Sequence, residues 1–435
     1  MIEQFRNIFR VPELKRRVLL TCALLIVYRI GAHVPTPGID AHALARFFEQ
    51  QAGNLLGFFD LFSGGALRRL SVFALGIMPY ISSSIILQLL AVVIPTLEKL
   101  QKEGEQGRKK ITQYTRYGTV LLAAIQGMGI SVGLESMQIA GTAVVPNPGW
   151  PFRLMTTVTL TGGTMFIMWL GEQISERGIG NGISLLIFAG IIVRMPEAIF
   201  ASWTLITQGE LNPLVFLALL AVMVAVVAGV IVMTLGQRRI PVQYAKRVVG
   251  RRVYGGQSTH LPLRVNTAGV IPVIFASSII AFPATITQFI KHPWAQAVSA
   301  WLRFGGIPYT MIYAGGIIFF TYFYTAIIFN PTDVADNMKK YGGFIPGIRP
   351  GSKTADFIER ILDRITLVGA LYLAGISILP EILITQMNVP FYFGGTSLLI
   401  VVGVALDTVQ QVESHLLMRH YEGFLKKAKV RGRIS

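Results

Sequence analysis

Ten apolar runs, each close to the roughly 20 residues needed to cross a hydrocarbon core, divide this chain, with short polar connections between them. They cover Val18 to Val34, Ser71 to Ile94, Tyr117 to Met137, Phe152 to Gly171, Ile183 to Phe200, Leu214 to Leu235, Ala268 to Ile290, Ile307 to Phe329, Thr366 to Gln386 and Phe391 to Val412. The pattern predicts an all-α, polytopic membrane protein of ten spanning helices. If the spans divide five and five, the odd number per set forces the two sets into opposite orientations. The link around Leu211-Asn212-Pro213 is the seam, leaving halves at 1–212 and 213–435.

Between the spans the sequence predicts further elements. Ile2, Phe5, Ile8 and Phe9 recur at helical spacing among cations before Pro12, the pattern of an interfacial helix on an anionic membrane surface. After the first span, Leu55 to Phe62 is apolar but too short to cross, and ends in the hinge Ser63-Gly64-Gly65. It is either a surface helix or a re-entrant segment lining a cavity. Gly76, Pro79 and Ser82-Ser83-Ser84 make one face of the second span polar, and Pro79 is expected to interrupt its hydrogen-bond ladder. The loop 237–265 alternates Ile240, Val242 and Tyr244 before Val248-Val249-Gly250, predicting a basic hairpin with its turn near Gly250. In the loop 330–364, Thr332 as N-cap, Asp333 and Asp336 early, Lys339 and Lys340 late and Gly342 as stop predict a helix. Pro346-Gly347-Ile348-Arg349-Pro350-Gly351 then presents Arg349 on a stiff turn, and a second short helix leads into the ninth span.

Charge orients this topology. Thirty of the 39 lysines and arginines fall in every second gap, in the head and in the tail that carries Lys426, Lys427, Lys429, Arg431 and Arg433. Cytoplasmic loops collect such cations, so both termini are expected inside, and the other face holds only about seven. Much of the net charge of +17 follows from this bias and by itself identifies no partner. Ala41-His42-Ala43 fits a small-x-small cleavage site after a basic, apolar head, but cleavage would leave an odd number of spans and invert the sidedness. At 14% charged residues the chain has too few charges to cover a water-soluble globule of 435 residues.

Catalytic chemistry is not expected. The single cysteine, Cys22, permits neither an internal disulfide nor a cysteine-based zinc site, and the six histidines lack ligand spacing, so no metal and no cofactor is anticipated. No nucleophile elbow, zincin or phosphate-loop signature occurs, and Arg177-Gly178-Ile179-Gly180-Asn181-Gly182 reads as a tight turn between spans. Asp407, within the tenth span, keeps a second class open: a secondary transporter with a midplane site at this carboxylate and the broken second span. A purely structural scaffold gives no reason for Pro79.

Several stretches carry a family likeness. Phe73 to Leu90 (FALGIMPYISSSIILQLL), Gly171 to Ser184 (GEQISERGIGNGIS), Gln257 to Leu263 (QSTHLPL) and Pro390 to Val402 (PFYFGGTSLLIVV) closely resemble the SecY family of bacterial protein-translocation channels. Gly104 to Lys110, Gln113 to Gly118 and Phe344 to Gly351 agree as well, so the likeness extends over essentially the whole chain.

The resemblance implies an hourglass pore between two inverted five-helix halves, closed by a short plug helix at about 55–69 and able to open sideways into lipid. Its pore ring maps onto Ile77, Ile81, Ile183, Ile187, Ile274 and Ile400, its plug onto Phe58, Phe62, Gly64 and Gly65, and its lateral gate onto Ser82, Gln126 and Phe282. Without the likeness these isoleucines read as ordinary core residues. Arg238, Arg239, Arg251, Arg252 and Arg349 match docking positions for the ribosome, through its RNA and protein, and for the ATPase motor SecA. Further partners implied are SecE, SecG and an unfolded polypeptide substrate, in the bacterial plasma membrane with its anionic lipid.

Overall fold

Twenty residues from Pro12 to Gly31 form the first helix, α1, in a computed structural model that describes residues 11–39, 44, 60, 63–135, 138–139, 142–209, 212–244, 247–249, 252–254, 258–289, 306–387 and 395–431. The predicted interfacial helix at Ile2 to Phe9 and the tripeptide Ala41-His42-Ala43 lie outside the described residues. The chain continues through α2 (Met78–Val93), α3 (Pro95–Lys102), α4 (Glu105–Glu135), the short pair β1 (Gln138–Ile139) and β2 (Thr142–Ala143), α5 (Trp150–Arg177), α6 (Gly182–Val193), α7 (Met195–Thr207) and α8 (Pro213–Leu235). Then come β3 (Gln237–Tyr244), β4 (Arg247–Val249), β5 (Arg252–Tyr254), β6 (Ser258–Arg264), α9 (Ile271–Phe289), α10 (Ile307–Ile328), α11 (Pro331–Lys340), β7 (Gly343–Phe344), α12 (Ser352–Met387) and α13 (Gly395–Arg431).

Among the described residues seven helices are long and apolar enough to cross a membrane, or eight if the bent pair α2 and α3 is one span. The protein is therefore a multi-pass helical membrane protein. Leu214, Leu217, Val224 and Val232 of α8 all face outward, an arrangement that water would penalise and lipid accepts.

Pro79 does not interrupt a helix. Residues 71–77 form consecutive turns, and α2 begins at Met78 with Pro79 in its first turn, where a missing N–H costs nothing and the fixed φ favours helix entry. The ladder instead breaks at the C-terminal end of α2, where α2 and α3 meet at 106° before Pro95. The fifth predicted span is likewise two helices, α6 and α7, parted at Arg194. Conversely, the short helix expected before the ninth span is fused to it in the 36 residues of α12.

Asparagines cap three of these helices. Asn181 accepts from the amides of Ile183 and Ser184 at 3.1 and 3.2 Å, and Asn212 accepts from Leu214 at 3.0 Å. Asn330, not Thr332, caps α11, accepting from the Thr332 amide at 3.1 Å. Thr332 falls inside the helix because Pro331 supplies its first turn.

The loop after α8 forms a three-stranded antiparallel sheet in the order β6-β3-β7, with Ile240 opposite Leu261 and Gln243 opposite Phe344. The predicted alternation holds: Ile240 and Val242 turn inward onto Met338, Ile345 and Ile358, binding the two basic loops into one unit. The hairpin tip is the separate pair β4-β5, in which Val249 faces Arg252.

Candidate functional site: the apolar waist and its polar seat

The largest apolar cluster draws residues from α1, α2, α5, α6, α8, α9, α10, α12 and α13 and from the turns before α2. Five of the six isoleucines named from the family likeness are buried in it: Ile77, Ile81, Ile187, Ile274 and Ile400, with exposures from 0% to 5%, and Ile183 packs against it half-buried. These residues come from both ends of the sequence and from four different helical segments, so the fold collects them at one place. All six therefore share one apolar environment. A constriction lined in this way dewets and offers a passing chain no fixed hydrogen-bond partner.

Just before α2 lies the second part of the site. Asp60 is 2% exposed, and its Oδ2 accepts from Nη1 of Arg194 at 3.0 Å while Oδ1 caps the amide of Arg68 at 2.9 Å. The Asp60 carbonyl takes the Gly65 amide at 2.9 Å. Burial pushes the Asp60 carboxyl above the ordinary carboxylate range, and Arg194 and the Arg68 amide offset that only in part. Around it Arg29 of α1 donates to the Gly64 carbonyl at 3.0 Å, Tyr28 donates to the Ser63 carbonyl at 3.4 Å, and Arg68 meets Glu197 of α7 at 3.7 Å. Gly64 is required here: its φ is +65°, and a Cβ would stand 2.9 Å from the Gly190 Cα of α6. Gly65 also takes a positive φ, but has open space beside it. Phe58 and Phe62 lie outside the described residues.

Elsewhere, α2 and α4 both pack on α9, and Ser278 of α9 donates to the Met78 sulfur at 3.8 Å. Ser82 is half-buried on α2 and Gln126 buried on α4, while Phe282 falls in the last half of α9. Arg238 and Arg239 are exposed on β3, and Arg349 is exposed on its turn, whose carbonyl accepts from the Thr354 hydroxyl at 2.9 Å. Arg252 lies on β5, and Arg251 is outside the described residues. No group of three or more acidic, histidine or cysteine side chains among the described residues could hold a metal.

Sequence reasoning passed over Asp60, Arg194 and Arg29. The partners of the ion pair are 134 residues apart, which no local pattern reveals. A signal did exist, since Arg194 and Arg29 are cations within predicted spans, where an ionisable group is costly unless partnered.

The fold is a helical membrane fold that matches a structure described as a protein conducting channel at a TM-score of 0.63, covering 92% of each chain at 17% identity. A second match, Sec61 in the canine ribosome-channel complex from the endoplasmic reticulum, has a TM-score of 0.57, 16% identity and 92% coverage of each chain. The family model SecY matches residues 71–409, and the chain belongs to the SecY family. It is 55% identical over 424 residues to the protein translocase subunit SecY of Escherichia coli K12, covering 97% of this chain and 96% of that one. The corresponding subunit of Aquifex aeolicus is 44% identical over 429 residues, covering 98% and 100%.

Proposed function

We propose that this chain is the protein-conducting subunit of a bacterial plasma-membrane translocase, passing unfolded polypeptides through its centre and releasing apolar segments sideways into lipid. The observation that carries the reading is that Ile77, Ile81, Ile183, Ile187, Ile274 and Ile400, from α2, α6, α9 and α13 and their approaches, belong to or pack against one apolar cluster. Family membership supports the assignment, because relatives covering nearly the whole chain are translocase subunits.

In this reading ten spans form two inverted five-helix halves, 1–212 and 213–435, with both termini cytoplasmic. The ring seals around a threading chain because β-branched apolar side chains fill space without binding polar backbone. The segment at about 55–69 acts as the plug that closes the pore from outside, carrying Phe58, Phe62, Gly64 and Gly65. Ser82, Gln126 and Phe282 border the seam through which a signal sequence leaves, since lipid takes an apolar helix that the wet pore rejects. Arg238, Arg239, Arg251 and Arg252 meet ribosomal phosphate, and Arg349 meets the SecA motor; SecE and SecG complete the membrane complex. The chain performs no bond chemistry and needs no cofactor, so ATP hydrolysis or translation supplies the work.

The test is reconstitution in liposomes with SecE, SecG and SecA. An unfolded precursor should become protease-protected only with ATP. Absence of protection at full SecA occupancy rejects the reading.

A further inference from the structure

We propose that Arg194 is the keeper of an ion-pair latch: its guanidinium is the main countercharge that makes the buried seat of Asp60 tolerable to a carboxylate, and so it holds Asp60 and residues 63–71 against α6 and α7. The proposal rests on the channel reading, in which this segment belongs to the plug. Asp60 is 2% exposed and the Arg194 side chain 21% exposed, so their 3.0 Å contact is shielded from solvent on the carboxylate side. An ionised carboxylate so placed is strongly unfavourable without its partner, whereas removing both charges leaves nothing unpaired.

The location gives the pair its leverage. Arg194 stands at the junction of α6 and α7, and on the same side Glu197 receives Arg68 while Gly64 lies against Gly190. The same α6 carries Ile183 and Ile187 of the waist. A shift of α6 that widens the waist therefore also draws Arg194 from Asp60. Once parted, Asp60 gains water, and returning requires its dehydration, so the latch makes opening and closing abrupt rather than graded.

The experiment compares wild type, Arg194→Gln and the double variant Arg194→Gln/Asp60→Asn, each as the full chain in liposomes. Hydrogen exchange is read at the amides of Gly65, Arg68 and Ser71, which are bonded to the Asp60 carbonyl, the Asp60 carboxylate and the Ala66 carbonyl. Arg194→Gln should speed their exchange by about a hundredfold, the scale of breaking a buried pair, and the double variant should return to within about threefold of wild type. Resting ion leak should follow the same order. Unchanged exchange in the single variant, or a double variant as labile as the single, overturns the latch. If the single variant fails to accumulate, the double variant must both accumulate and protect, or the latch is wrong. Failure of the channel reading is distinct: there, no variant leaks or translocates, yet exchange still decides the latch.

Discussion

Arg116 of α4 and Glu172 of α5 face each other through two parallel hydrogen bonds, Nε to Oε1 at 2.8 Å and Nη2 to Oε2 at 2.9 Å. The fork geometry matches guanidinium to carboxylate in a way an ammonium cannot. Because Arg116 is 45% exposed, the pair is partly screened and its worth is modest. Arg116→Lys should therefore lower stability by under about 1 kcal/mol, read as a small fall in unfolding temperature in detergent, while Arg116→Glu, which sets like charges together, should cost clearly more.

The waist makes an electrical prediction. Ile81→Asn or Ile187→Asn places a polar amide in a site where the native side chain is 5% or 1% exposed. Water then has a partner at the constriction, and resting conductance across a planar bilayer should rise. Wild-type conductance in both variants would remove the ring assignment.

Two neighbouring glycines of α5 should respond in opposite ways. A Cβ on Gly163 would lie 1.9 Å from the carbonyl oxygen of Val72, in the run of turns before α2, whereas one on Gly162 meets open space. Gly163→Ala should cost about 1–3 kcal/mol of stability, and Gly162→Ala should gain up to about 1 kcal/mol from helix propensity. Thermal unfolding of the two proteins side by side separates the cases.

Charge reversal on the sheet tests docking. Arg238→Glu with Arg239→Glu alters exposed side chains of β3 and leaves Ile240 and Val242 in place. Ribosome affinity should fall, and the slope of log affinity against log salt should flatten by about two units if each arginine covers one phosphate. A salt series with unchanged slope would sink the contact.

Asp407 separates the rival classes. Its side chain lies on α13, and a coupled transporter that used it as a midplane site would lose uptake on Asp407→Asn. A conduit sealed by apolar residues should keep translocating, which the liposome assay measures directly.

Helices of uniform apolar character were readable in advance to within a few residues, as in Pro213–Leu235 against the expected Leu214 to Leu235. The hairpin was legible through Ile240 and Val242, since period-two alternation reports a half-buried strand directly. What escaped was decided by competition between neighbours. Thr332 and Asn330 both suit an N-cap, and Pro331 between them settles the matter by its own fixed φ. Pro79 looked like a breaker because the apolar run extends upstream to Ser71, yet those residues form turns and leave the proline at a helix start. The isoleucines were individually indistinguishable from core, and only the family motif around them picked them out. The Asp60 seat left only the trace of two cations inside predicted spans, since the pairing itself arises only when segments 134 residues apart meet.

At about 1.5 Å per residue the 36 residues of α12 measure about 54 Å, well beyond the about 30 Å of a hydrocarbon core. The helix starts three residues after Arg349 and carries Leu373 into the central cluster. It is a connecting rod: force applied to the Arg349 turn has a stiff, uninterrupted lever into the centre of the bundle.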